Sequence, residues 1–183
     1  EAPDVIMIGE IRDRNTMKQA IAYAETGHLC LSTLHANNAN QAMERVINFF
    51  PEEAHRQLLV DLSLNLAGVV SQRLIPGLHE KLVPAVEVML NSSYISDLIA
   101  KGEFSGIKEA MARSTEIGMC TFDQALYQLY TEDRISLDEA LHNADSRTDL
   151  ALRIRLAAGV STQDAGDLSI DTSSPIQSAA RLA

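Results

Sequence analysis

A chain of 183 residues with 46% hydrophobic and 22% charged residues is apolar enough to bury one real core and too apolar to group with disordered sequences. Its 25 Asp and Glu against 15 Lys and Arg give a formal net charge of -10, and aromatics are 4% with no Trp, so the basic footprint and stacking platforms of a nucleic-acid binder are missing. Cys30 and Cys120 form neither a disulfide framework nor a CxxC zinc pair, which fits a reducing cytoplasm, and no apolar run reaches the roughly eighteen residues of a membrane span.

The chain opens Glu1-Ala2-Pro3 without an initiator Met and runs at once into an apolar strand pattern, so a segment is expected upstream. Val5-Ile6-Met7-Ile8, ended by Gly9, reads as a strand buried on both faces of a sheet. After Glu10-Ile11-Arg12-Asp13, the helical spacing of Met17, Ala20, Ile21 and Ala24 predicts a helix, with Gly27 at its C′ position. His28 to His35 reads as a second strand, and Asn37 or Asn38 caps a helix carrying Ala42, Met43, Val46 and Ile47. Pro51, Glu52 and Glu53 suit the first turn of another helix, which bears Leu58, Leu59, Leu62 and Leu66. This alternation predicts an α/β domain with a largely parallel sheet.

Val69 to Ile75 is a further strand candidate before the Pro76-Gly77 turn, with the helix-to-strand boundary near Gly68 left open. Lys81 to Leu90 is another, where Pro84 predicts a sheet edge. Beyond Asn91 the texture changes to short helices. Ser92 or Ser93 caps Tyr94 to Lys101, Thr121 caps Phe122 to Tyr130, Ser136-Leu137-Asp138-Glu139 has the capping-box form, and Ser146 to Ala158 makes a last helix. The expected organisation is a sheet-bearing part over 1-90, a helical subdomain over 91-159 and a flexible tail over 160-183.

Two groups of residues carry chemistry. Gly9-Glu10 stands at the carboxyl end of a predicted strand, the edge where open α/β sheets bind ligands, and an acid there can hold Mg²⁺ through water or orient an attacking water. Thr33-Leu34-His35 ends the neighbouring strand, where a histidine can donate to a phosphate oxygen. His28 lies at the other end of that strand, about 20 Å away if the strand is regular, so both histidines cannot touch one phosphate.

Pro3-Asp4-Val5-Ile6-Met7-Ile8-Gly9-Glu10-Ile11-Arg12-Asp13 resembles the Walker B segment of secretion and pilus motor ATPases. Ala24-Glu25-Thr26-Gly27-His28 followed by Leu31-Ser32-Thr33-Leu34-His35-Ala36 resembles their His box. Arg45-Val46, Phe50-Pro51, Val70-Ser71-Gln72-Arg73-Leu74 and Gly118-Met119-Cys120-Thr121-Phe122-Asp123 extend the resemblance over roughly residues 1-158. Within that superfamily the chain is similar to the type IV pilus retraction, or twitching motility, ATPases of PilT and PilU type. Asn143-Ala144-Asp145-Ser146 leans towards PilU, and two distant cysteines cannot build the four-cysteine zinc module of the assembly branch.

The resemblance implies the C-terminal half of a RecA-like P-loop ATPase core, a helical subdomain and a flexible tail. It implies an ATP- and Mg²⁺-dependent hexamer, homomeric or mixed with a related retraction ATPase, held at the inner membrane through a platform protein, with no zinc, nucleic acid or membrane span. By position, Glu10 is the Walker B acid acting on Mg²⁺ and water and His35 the γ-phosphate sensor. Gly9, Arg12, His28 and Thr33 support the nucleotide site, with Arg12 equally readable as a surface ion pair.

No G-x-x-x-x-G-K-S/T occurs in the sequence, so the lysine and backbone cradle for the phosphates are missing and these residues alone are expected not to hydrolyse ATP. A rival reading is a non-catalytic module whose helices bind the inner-membrane platform. A zinc hydrolase using His28 and His35 is disfavoured, because the pair lacks the i,i+4 spacing that presents two ligands together.

Overall fold

The computed structural model describes residues 3–159; the expected flexible tail over 160-183 lies outside the described residues. Strand β1 (Val5–Ile8), helix α1 (Arg14–Glu25) and strand β2 (Leu29–Ser32) form a unit in which α1 supplies the crossover that a parallel pair needs. Val5 stands beside Leu29 and Ile8 beside Ser32. Asp13 caps α1 by accepting the Thr16 amide at 2.9 Å. The chain leaves α1 through Gly27 at φ 88°, a conformation costing a residue with a Cβ roughly 1–2 kcal/mol.

The expectation that β1 is buried on both faces is corrected. Ile8 and Cys30 pack against a cluster that includes Ile11, Met17, Ala20 and Met43, but Val5 is 50% exposed, Met7 76%, and Leu29 and Leu31 each 49%. A continuous apolar run signals two covered faces only when two layers exist to cover them, and the described residues supply one.

Helix α2 (Ala39–Asn48) starts at Asn38, whose side chain accepts the Gln41 amide at 2.9 Å. Helix α3 (Glu52–Asn65) follows Pro51, with Glu52 and Glu53 at the positive end of its dipole. Strands β3 (Gly68–Pro76) and β4 (Leu82–Leu90) then pair antiparallel, Gly68 opposite Leu90 and Pro76 opposite Leu82. The boundary left open in the sequence falls at Gly68, where a Cβ would come within 2.7 Å of the Met89 carbonyl oxygen.

The expected largely parallel sheet is thus corrected to one parallel pair and one antiparallel hairpin. Only residues 77–81 join β3 to β4, too few for a parallel crossover of about a dozen residues. Pro84 does sit at an edge. Val88 exchanges both backbone hydrogen bonds with Cys120, at 2.8 and 3.0 Å, so the backbone groups of Val88, Val86 and Pro84 point away from β3. The missing N–H of Pro84 therefore costs no ladder bond.

The remaining elements are α4 (Ser93–Lys101), α5 (Ile107–Ala112), α6 (Phe122–Thr131), α7 (Leu137–Asn143) and α8 (Arg147–Ala157). Ser92, Thr121, Ser136 and Ser146 are the N-caps. Thr121 forms the full reciprocal box with Gln124. At Ser136 only half forms: its hydroxyl accepts the Glu139 amide at 3.2 Å, while the Glu139 carboxylate takes the Asn143 side-chain amide at 3.1 Å. The sequence reading named no helix at α5. It is six residues long and grows out of the 3-10 turn Phe104–Gly106 with no side-chain cap, so it carries no start signal.

Two buried clusters meet under the hairpin. One joins α1 to α5 with Met89 of β4; the other joins Ile75, Val83 and Ala85 of the hairpin to Phe122, Leu126, Leu129, Ile135, Ala140 and Leu150. Between them the inner face of the hairpin presents Ser71, Arg73 and Glu87.

Candidate functional site

Because β1 and β2 are parallel, the turns after both strands lie at one sheet edge. Two hydrogen bonds lock these turns together: the Thr33 hydroxyl donates to the Gly9 carbonyl at 2.5 Å, and the Ile11 amide donates to the Thr33 carbonyl at 2.9 Å. Ile11, 8% exposed, pins the first turn to the core. With the backbones fixed, Glu10 Oε1 stands 3.1 Å from His35 Nε2.

Arg12 closes the other side of the carboxylate. Its Nε donates to Glu10 Oε2 at 2.6 Å, and Nη2 contacts the same oxygen. Glu10 is shielded, with 17% of its side chain exposed, whereas His35 and Arg12 are 79% and 75% exposed. Sequence spacing thus brings Gly9, Glu10, Arg12, Thr33 and His35 to one place. His28 is elsewhere: its Nδ1 lies 2.9 Å from Thr26 Oγ1 and 3.2 Å from the Tyr23 carbonyl, where α1 ends and before β2 begins.

The hydrogen bond from Arg12 holds the Glu10 carboxyl below the ordinary range; partial burial opposes it, and the charges of Arg12, His35 and Arg45 add to the lowering. Glu10 is therefore an anion at neutral pH. A depressed folded pKa means that whatever this contact adds to stability is present above the unfolded pKa and is lost as pH falls through the folded one. Arg12→Ala is expected to raise the Glu10 pKa, as read by NMR titration of its carboxyl carbon. An unmoved midpoint would show that Arg12 is not the cause.

A shielded anion beside an exposed imidazole can order water on one side and donate to an anionic ligand on the other. Among the described residues, no group of three or more His, Cys, Asp and Glu converges as a metal cluster would. Also among them, no helix is long and apolar enough to cross a membrane. The sequence reading quoted Arg73 only inside a motif and passed over Glu87. The signal for both was a charged residue in the inward phase of an alternating strand.

Comparison with known proteins places this geometry in a family. The profile of the family described as Type II/IV secretion system protein matches residues 1–152. Over 170 residues the chain is 58% identical to the type IV pilus ATPase PilU of Pseudomonas aeruginosa, covering 92% of this chain and 44% of that protein. Over 144 residues it is 35% identical to the type IV pilus retraction ATPase PilT of the same organism, covering 79% of this chain and 42% of that one. A crystal structure of the pilus retraction motor PilT with bound ADP superposes with a TM-score of 0.74 at 34% identity, covering 82% of this chain and 42% of that one. The chain thus spans less than half the length of these relatives. The chain therefore belongs to the type II/IV secretion system protein family, among its pilus ATPases of PilT and PilU type.

Proposed function

We propose that this chain is the Walker B and His-box portion of a hexameric motor that hydrolyses ATP to drive type IV pilus retraction. The observation that carries the reading is the 3.1 Å contact between Glu10 and His35 at the carboxyl edge of a parallel strand pair. It gains support from the 58% identity to PilU against 35% to PilT, which also favours the PilU side.

In this reading residues 1-90 are part of a RecA-like core and 91-159 a helical subdomain. Glu10, an anion at neutral pH beside His35, suits Mg²⁺, which keeps several of its waters and needs few protein ligands. Glu10 would hold Mg²⁺ through water, where the ion would neutralise phosphate charge; Glu10 would also orient the attacking water, and His35 would donate to the γ-phosphate. Gly9 and Thr33 lock the two turns, and Arg12 lowers the Glu10 pKa further and so favours its ionised form.

The motor assembles as a homo-hexamer or with a related retraction ATPase. It works at the cytoplasmic side of the inner membrane on a platform protein. The rival, a non-catalytic module binding that platform, has no use for an ionised Glu10 held against His35.

The test compares ATP hydrolysis by a chain of the relatives' length with that by residues 1–183 alone. Turnover is expected in the first and not in the second, which lacks a phosphate cradle. An inactive long chain favours the interaction module, and an active short one removes the need for a cradle upstream.

A further inference from the structure

The inner face of the β3–β4 hairpin carries two charged side chains where a helix-covered sheet ordinarily carries apolar ones. Along β3 it reads Val69, Ser71, Arg73, Ile75, and along β4 Val83, Ala85, Glu87, Met89, with Ser71 opposite Glu87 and Arg73 opposite Ala85. Glu87 is 3% exposed. Its Oε1 accepts the Ala39 amide at 2.8 Å. Burial pushes its carboxyl up from the ordinary range, and the hydrogen bond from the Ala39 amide works against that rise. Ala39 is the first residue of α2, so the carboxylate serves the positive end of that helix.

Arg73 makes the complementary contacts. Its Nη1 donates to the Asn143 carbonyl at 2.9 Å, and its Nη2 to Asp145 Oδ1 at 2.7 Å and to the Asn37 carbonyl at 3.4 Å. Its guanidinium carbon lies 3.9 Å from the centre of the Phe122 ring, within range of a cation–π contact. Lys108 extends the network, 2.8 Å from Asp123 and 3.5 Å from Asp145. Every group touched belongs to one of two places. Asn37 and Ala39 follow His35 closely and end the β2–α2 loop; Phe122, Asp123, Asn143 and Asp145 belong to α6 and the α7–α8 junction.

A buried carboxylate is a poor source of stability, because well-packed apolar residues of the same volume often do as well or better. It is a good source of geometry, since an amide bonded to a fixed oxygen has one position. A planar guanidinium adds to this by holding several acceptors in one fork.

We propose that Arg73 and Glu87 are positioning residues for the ATPase reaction, clamping the loop that carries His35 against the α6–α8 helices. This rests on the reading of His35 as the γ-phosphate sensor. Neither residue touches nucleotide; both act through backbone groups of the loop. A displacement of α6 to α8 is transmitted to His35 through this clamp.

The test uses the full-length ATPase with Arg73→Ala, Arg73→Lys and Glu87→Leu, which keeps much of the volume but has no acceptor for the Ala39 amide, each also combined with His35→Ala. Misplacing a donor by about 1 Å costs up to about a hundredfold, so kcat is expected to fall about ten- to a hundredfold in the single variants. KM for ATP should stay within about twofold, because the donor acts in the transition state more than in binding. Arg73→Lys should fail to restore kcat, since a point charge replaces the fork. In the His35→Ala background the same substitutions should add nothing, and hydrogen exchange of residues 33–41 should quicken while β3 and β4 stay protected.

Wild-type kcat in both Arg73→Ala and Glu87→Leu overturns the proposal. So does a loss that multiplies onto that of His35→Ala, in which case the reading of His35 still stands. Full turnover in His35→Ala itself overturns that reading and the clamp with it. If Arg73→Ala does not assemble, Glu87→Leu decides by the same readouts, and Glu87→Gln, which keeps an acceptor for the Ala39 amide, should restore most of its loss.

Discussion

Glu10→Gln in a chain of the relatives' length is expected to leave the hexamer assembled and to lower ATP turnover by about 10² to 10³, roughly 3 to 4 kcal/mol of barrier. The substitution keeps the size of the side chain and an acceptor for Arg12, but removes the charge that would organise Mg²⁺ and water. Since Glu10 already sits below the ordinary carboxylate range, no acidic shift in assay pH reproduces the variant until pH falls through that lowered value. His35→Ala should also slow turnover, with ATP affinity less affected, because a donor to the departing γ-phosphate acts mainly in the transition state. The measurements are ATPase rate, oligomer size and melting temperature on the same preparations. Undiminished turnover in Glu10→Gln would sink the Walker B assignment. A collapsed fold would instead return Glu10 and Arg12 to the role of a structural ion pair.

Phe122→Ala should cost about 3–5 kcal/mol of stability, a large part of the roughly 5–15 kcal/mol by which a domain is stable. Phe122 has no exposed surface and sits among Ile75, Val83, Leu126 and Leu129 in the second cluster. Its truncation leaves a void and also uncovers the guanidinium of Arg73, which stacks on the ring. Phe122→Leu should cost less, because it keeps apolar volume while losing only the ring face. Urea denaturation of the three proteins reads the difference. A Phe122→Ala loss below about 1 kcal/mol, typical of a surface site, would mean that the ring is not buried in solution.

Much of this was legible in the sequence because the signals are local. The caps at Thr121 and Ser136 and the start of the last helix at Ser146 follow from a short polar side chain before a periodic run. The same signal narrowed two others to Asn37 or Asn38 and Ser92 or Ser93, where the structure uses Asn38 and Ser92, while the Asp13 cap was passed over. The contact between Glu10 and His35 follows from two strand ends in parallel. What was not legible depends on layers and distances that one strand cannot encode. Val5 to Ile8 has the composition of a doubly covered strand and is covered once. The antiparallel β3–β4 pairing was hidden because Val69 to Ile75 and Lys81 to Leu90 were read as two more strands of one sheet, with no weight given to the brevity of the turn between them. Glu87 lay in an apolar run where a single acid reads as an accident. Its place emerges only once α2 brings its first amide to it.

The uncovered side of β1 and β2 has a colloidal consequence. Val5, Met7, Leu29 and Leu31 form an apolar strip on a two-stranded ribbon, and two strands rarely hold together in water without another layer. When residues 1–183 are handled by themselves, that strip is a ready surface for association between copies, opposed chiefly by the net charge of -10. Such repulsion reaches about 10 Å at 0.1 M salt and about 3 Å at 1 M. Low ionic strength therefore favours dispersed chains and high ionic strength favours clustered ones.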